Sequence, residues 1–320
     1  MTDQLPSAPA KAVPGIAQTR RRSQAIRVLK SAAVSRRGAL GLAIFGIVVV
    51  IAILGPFIAP HDPTEILGMP FAPPSDSLRL GGDSLGRDVL SRVLAGGWVL
   101  LLMAALATCI AVTVGVVVGM TAAYRGGWID HFLMRTTDIG LAIPQIVFAL
   151  LFVSILGPQL WLVVLVVAFT MAPSVARVIR GAALEVSERD FVKAVELMGV
   201  SPRLIIVREI LPNLVSPIMV ELGLRLTYAC ITIAALSFLG FGQPPPAPNW
   251  GIMISENRVG LASNALGVIV PAAIIAFFTV GANLFTDAVT RTLLRGDLAS
   301  SNPDATTVDS GSVPTWRPTS

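Results

Sequence analysis

Six apolar runs, each able to cross a bilayer, set the terms for the rest of this chain. They lie at 38–58, 98–123, 132–156, 160–176, 213–236 and 265–287. The first has 21 residues, and at ~1.5 Å per residue a helix of that length crosses a hydrocarbon core of ~30 Å. A signal-peptide core is shorter, about 7–15 residues, and ends in a small-residue cleavage site. No such site closes this run, so it reads as an uncleaved span. Inside lipid every backbone N–H and C=O must find a partner in protein, which makes helices the economical solution. The expected class is an all-α membrane protein with six transmembrane helices. Charged residues, 13% of the chain, fall well short of the ~25% usual in soluble domains.

Punctuation within the runs adds detail. Gly115 and Gly119 are spaced for close helix packing. Pro144 and Pro271 interrupt the third and sixth runs and should kink them, with neighbouring helices satisfying the freed carbonyls. Cys109 and Cys230 both lie in apolar runs with no CxxC spacing, and read as small packing residues. His61 and His131 sit at membrane edges, far apart in sequence, and read as interfacial with no ligand role.

The net charge of +5 raises the question of nucleic acid, and the placement of the basic residues answers it. With the N-terminus in the cytoplasm, 19 Lys and Arg fall on the inner side and 4, namely Arg79, Arg87, Arg92 and Arg258, on the outer. That asymmetry is the positive-inside bias of a membrane protein. It places both termini in the cytoplasm and accounts for the charge without nucleic acid. The expected division is a basic tail at 1–37, a first span with outer loop at 38–97, a five-span core at 98–287 and a disordered tail at 288–320.

The one long polar interval between spans is 177–217. Phe191, Val195 and Met198 can share a helical face, with Glu188 and Lys193 elsewhere on the surface. Gly199 permits a sharp turn, and Ser201-Pro202 reads as an N-cap followed by a first-turn proline. Pro212 precedes the next span. Such a loop is a rigid lever on a membrane face; the plainer alternative is an ordinary amphipathic loop.

Lys193-Ala194-Val195, then Gly199, then Leu211-Pro212 resembles the cytoplasmic loop of ABC importer permeases, Glu-Ala-Ala, three residues, Gly, nine residues, Ile-x-Leu-Pro. Lys193 stands in place of Glu, Val195 in place of the second Ala, and Glu209 in the usual Ile slot. A second string, 82–92, GDSLGRDVLSR, resembles a signature of the second permease subunit of dipeptide, oligopeptide and nickel importers. A third, 237–251, with its Ser-Phe-Leu-Gly, proline run and Asn-Trp-Gly, is similar to the same subgroup. Locally, the second string is also a capped turn, with Asp83 or Ser84 as cap and Arg87 and Asp88 solvated. The third is a stiff loop in which Trp250 suits the membrane interface, either a buried re-entrant element or a substrate contact.

The resemblance implies a type-1 (MetI-like) importer permease in a bacterial inner membrane. It implies a related permease as heterodimer partner, two ATPase subunits carrying ATP and Mg, and an extracytoplasmic binding protein. It also implies that Glu188, Phe191, Lys193, Ala194, Val195, Met198, Gly199, Leu211 and Pro212 couple the chain to an ATPase. No cofactor is expected in the chain itself. Its three lysines, Lys11, Lys30 and Lys193, follow no glycine, so no phosphate loop of the G-x-x-x-x-G-K type is present, and no catalytic motif appears.

Glu221 and Arg225 sit four apart in the fifth run. Each would cost roughly 2.5–3.5 kcal/mol facing lipid at the bilayer centre, so they should pair on one face that looks inward. They are either a structural pair near the cytoplasmic interface or gate residues. Thr232 stands where several relatives are expected to carry a carboxylate, and its hydroxyl can satisfy a backbone carbonyl. Asp138, Glu256 and Asp287 lie near span ends and read as helix-end charges. The expected function is half of an alternating-access pathway for peptides. Alternatives are an ion-coupled transporter or channel, or an ABC importer of nickel, haem or another small solute.

Overall fold

The computed structural model describes residues 33–301, with side chains through 292. Among these the chain is helical; two isolated antiparallel bridges, Ile66 with Arg87 and Gly82 with Asp88, are the β-type pairings. The helices are α1 (Arg36–Ile58), α2 (Val89–Ala95), α3 (Trp98–Arg125), α4 (Gly127–Ala142), α5 (Gln145–Leu156), α6 (Leu160–Ser187), α7 (Asp190–Leu197), α8 (Pro202–Ile205), α9 (Val215–Leu236), α10 (Trp250–Asn257) and α11 (Leu266–Ser301). The long apolar helices α1, α2–α3, α6, α9 and α11 can each cross a membrane, and α4 with α5 forms a sixth, broken crossing.

Small residues decide which helices touch. α3 packs along α6 at the centre of the bundle. A Cβ on Gly115 would lie 2.5 Å from Val175 Cβ, and one on Gly119 would lie 2.6 Å from the Ala176 carbonyl oxygen. With no side chain at either glycine, the two backbones approach as the spacing predicts. α1 packs against α11, where Gly41 and Gly281 allow the same approach. α9 bridges α3 and α11. One apolar core gathers Leu100, Met171, Ile233, Trp250 and Phe278 around this centre. A second lies at the other end, beneath the 188–214 loop, and joins Val116, Ile179, Val192, Ile205, Ile210 and Leu214.

Three expectations need correction. The third run is not a kinked continuous helix: it breaks between α4 and α5 with a bend of 84°. Pro144 cannot donate to the Gly140 carbonyl and biases Ile143 out of the helical region, and Ile143 is extended at φ −94°, ψ 127°. Pro271 lies inside α11, where it removes one bond near the helix start. Finally, α6 continues to Ser187 and α11 to Ser301, so Arg177 and Arg180 belong to a span helix and part of the expected 288–320 tail is helical. The expectations for 1–32 and 302–320 lie outside the described residues.

Candidate functional site

The 188–214 loop is built as a cap on the second core. α7 places Val192, fully buried, against that core, with Val195 half-buried beside it. Gly199 ends the helix in the left-handed region at φ +76°, and its amide donates to the Glu196 carbonyl at 2.9 Å. Ser201 then holds extended backbone with Pro202 at the first helical position. Ser201 is the N-cap, as the sequence predicts, though through its carbonyl, which accepts from Leu204 and Ile205, and not through its hydroxyl. A π-helical turn over Ile206–Ile210 and a 3-10 turn over Leu211–Asn213 lead into α9. There Asn213 Nδ2 donates to the Glu209 carbonyl at 2.6 Å, next to the proline that cannot donate.

This places the nominated residues on two sides. Glu188, Phe191, Lys193, Ala194, Met198 and Gly199 are exposed, while Val195, Leu211 and Pro212 are half-buried, with Val195 and Leu211 against the second core. The face drawn through Phe191, Val195 and Met198 is therefore split. The outward apolar set is Phe191, Ala194, Leu197 and Met198, with Leu197 90% and Met198 71% exposed. Leu197 had no place in the sequence reading. Its signal was there, three residues after Ala194 on the same side of α7. Leu204 and Val207 extend the exposed apolar surface beyond the glycine turn.

At the opposite end the 82–92 string forms a buried charge cluster. Asp83 Oδ1 accepts from the Leu85 and Arg87 amides, both at 2.9 Å, and its Oδ2 faces Arg87 Nε at 2.7 Å and Arg92 Nε at 3.2 Å. Glu256 Oε2, from α10, meets Arg87 Nη2 at 3.0 Å and Arg92 Nη2 at 3.1 Å. Arg87 and Asp88 are thus buried, not solvated, and Glu256 is a bridge between the arginines more than a helix-end charge. Asp88, not Asp83 or Ser84, is the N-cap of α2, accepting from the Leu90 and Ser91 amides. His61 Nδ1 lies 3.4 Å from Asp88 Oδ2. Trp250 is fully buried and donates from Nε1 to the Val93 carbonyl at 2.8 Å, so it is an internal anchor and not an interfacial residue.

Within the spans, Arg225 Nε donates to Glu221 Oε2 at 2.8 Å, as the spacing predicts. Glu221 is buried, and the Arg225 guanidinium lies 5.9 Å from the Tyr228 ring centroid. Thr232 is buried on α9, and its hydroxyl is reached at 3.4 Å by Gln145 Nε2 from the start of α5. Thr232 stands 11 residues beyond Glu221 and 7 beyond Arg225, roughly 16 and 10 Å along α9. Cys230 is buried and Cys109 exposed.

A multi-span helical bundle with a compact loop helix at one end and a charge-pinned cap at the other is the build of a membrane translocation subunit. The chain belongs to the family of binding-protein-dependent transport system inner membrane components, whose model matches residues 115–295, from mid-α3 through the loop into α11. Residues 27–74 match the N-terminal transmembrane domain of oligopeptide transport permease C. Among similar proteins is the dipeptide transport system permease protein DppC of Haemophilus influenzae, 34% identical over 261 residues, 79% of this chain and 88% of that protein. The glutathione transport system permease protein GsiD of Escherichia coli O6:K15:H31 is 35% identical over 245 residues, 76% and 81% of the two chains. GsiD of Pectobacterium atrosepticum is 36% identical over 216 residues, 68% and 72%. The chain is an ABC importer permease subunit of the peptide family.

Proposed function

We propose that this chain forms half of the pathway of an ATP-driven importer of short peptides in a bacterial inner membrane. A related permease supplies the other half, two ATPase subunits bind ATP and Mg below the 188–214 loop, and a binding protein delivers cargo to the opposite face. Both termini and the loop lie in the cytoplasm, as the distribution of basic residues favours. The observation that carries this reading is the outward apolar face of α7. Phe191, Leu197 and Met198 are exposed on a loop beyond the spans while Val192 and Val195 already satisfy the bundle. Covering Leu197 and Met198, 90% and 71% exposed, stabilises a complex by about 1.5–3 kcal/mol each before the costs of docking, and Phe191, 37% exposed, adds less.

Coupling then follows from geometry. The loop is seated through Val192, Ile205, Ile210 and Leu214 on the ends of α3 and α6, so force on α7 is delivered to the central helix pair. An ATPase drives the spans between two states only through its different affinities for them, and a loop fixed at both ends transmits that difference. The relatives' named cargoes, dipeptide and glutathione, are both short peptides, which sets the cargo class. The test is import of labelled dipeptide and glutathione into proteoliposomes holding the complete complex with ATP. ATP-dependent accumulation supports the reading; uptake that follows an ion gradient and ignores ATP rejects it.

A further inference from the structure

Two family models match this chain separately, one over 27–74 and one over 115–295, and the seam between α1 and the rest of the bundle is incompletely filled. Gly41 and Gly281 bring α1 against α11, and Gly55 brings it against Leu94 of α2. Near the stretch of α1 between those contacts lie two cavities of about 270 and 340 Å³. Phe45, Ala105 and Leu226 line both, so they are two chambers of one slot, walled by α1, α3, α9 and α11. Ile53, Trp98, Leu102 and Cys109 are exposed along it, and the slot therefore opens on the outside of the chain.

Size and chemistry decide what fits. Along α3 the slot runs from Trp98 to Cys109, 11 residues and so ~16 Å. Half of a ~30 Å hydrocarbon core, the depth that one leaflet's acyl chains cover, is ~15 Å. The walls offer a polar ligand almost nothing. The Thr108 and Thr286 hydroxyls donate to the Ala104 and Ala282 carbonyls of their own helices at 2.7 and 2.9 Å. The rest of the lining is apolar apart from the Cys109 thiol and, at one end, the Trp98 indole. Water finds too few partners in such a site to stay. A partner's helix is ~10–12 Å across, and over 16 Å it displaces well over ~1,000 Å³, more than either chamber holds.

Trp98 marks the mouth. It is exposed at the start of α3, and among the described residues its indole N–H has no acceptor. An indole at the membrane interface sets its ring in hydrocarbon and its N–H toward the headgroup region. We infer that the slot holds one acyl chain of a phospholipid from the leaflet on the side of the Asp83–Glu256 cluster, with the lipid ester region at Trp98 and the chain end at Cys109. The chain fills the seam between α1 and the core, where an empty space would forfeit dispersion contacts on both walls. Four helices surround it, so it exchanges more slowly than the lipid around the bundle. This holds whichever cargo the complex imports and whichever face is cytoplasmic.

The test takes the complete complex from a bilayer of phosphatidylethanolamine and phosphatidylglycerol that includes phosphatidylethanolamine with a diazirine at the end of one acyl chain. Mild detergent removes the surrounding lipid, and illumination with peptide mapping then locates the adducts. They should concentrate on Ala105, Cys109 and Leu226, several-fold above Ile47, Val50 and Leu54, which are exposed on the other side of α1. Native mass spectrometry of the same sample should find a retained phospholipid. Ala105→Trp fills the point common to both chambers and should lower the slot adducts at least roughly tenfold and remove that phospholipid, while Ala105→Leu, a smaller filler, should lower the adducts in part. Adducts spread evenly over α1, no retained phospholipid in the unmodified complex, or slot adducts undiminished in both Ala105 variants would overturn the inference. So would a cross-link from Cys109 to the partner permease without a lipid adduct, which would put protein in the slot. The unmodified complex decides the matter even where the tryptophan form does not assemble.

Discussion

Arg92 Nη2 lies 3.1 Å from Glu256 Oε2, although 164 residues separate them in sequence. This contact ties α2 to α10, and through Arg87 and Asp83 it fixes the 59–88 loop on the ends of the spans. Removing one partner leaves a buried cation short of a counter-charge, at a cost of about 3–5 kcal/mol. Glu256→Ala should lower the thermal midpoint of the purified complex and open the 59–97 segment to protease. The double variant Glu256→Ala with Arg92→Met should recover much of that loss. If Glu256→Ala leaves both midpoint and protease resistance unchanged, the cluster does not hold the cap.

Gly119 is the point where α3 meets the backbone of α6 most closely, because any Cβ there would lie 2.6 Å from the Ala176 carbonyl oxygen and 2.9 Å from the Arg180 amide nitrogen. Gly119→Leu should force the helices apart and cost on the order of 1–3 kcal/mol or more. The chain should insert and then be degraded or fail to assemble. Gly46→Leu, at a position with open space around it, should leave membrane abundance near the parent level in a quantitative blot.

Gly199 holds φ +76° with no atom within 4 Å of where a Cβ would go. The demand at this position is conformational, not one of space. Gly199→Val should therefore lower peptide uptake while membrane abundance holds. Gly199→Asn, whose side chain tolerates the left-handed region, should keep most of the activity. Equal uptake by the glycine and valine forms would show that the turn does not set the loop's shape.

Topology has its own check. In a chain lacking Cys109 and Cys230, Ser75→Cys in the outer loop should label with an impermeant thiol reagent added to intact cells. Glu185→Cys, near the end of α6 with a side chain 77% exposed, should label only after permeabilisation. Labelling of both from outside would reverse the assigned orientation.

Length and hydropathy alone were enough to place the spans in the sequence, because a helix in lipid needs only about 20 apolar residues and no partner to be recognised. The glycine pair and the Glu221–Arg225 pair were equally legible, being local in spacing. Arg87 and Asp88 read as solvated because their environment is set from far away. Beside the local Asp83, the second Arg87 counter-charge, Glu256, is 169 residues distant, and a burial created by chain return leaves no local mark. The two faces of α7 were confused for another reason. Val192 and Val195 serve the chain's own core, while Phe191, Leu197 and Met198 do not, and apolar periodicity cannot tell an internal seat from an external one. At Pro144 the proline was visible but the size of the bend was not, since that depends on whether α6 and α9 hold two separate half-helices.

The central claim is that the outward face of α7 seats an ATPase subunit and couples its cycle to the spans. The direct measurement is peptide imported per ATP hydrolysed by the reconstituted complex, together with the amount of ATPase subunit that co-purifies. Leu197→Asp and Phe191→Asp place a charge in the seat and should lower ATPase retention at least roughly tenfold, the equivalent of ~1.4 kcal/mol, or drop the import ratio toward zero. Val192→Ala, on the inner side, should instead reduce stability, and Glu188→Gln should change little. Wild-type retention and import ratio in both aspartate variants would contradict the account, because the loop would then have no apolar seat on its partner.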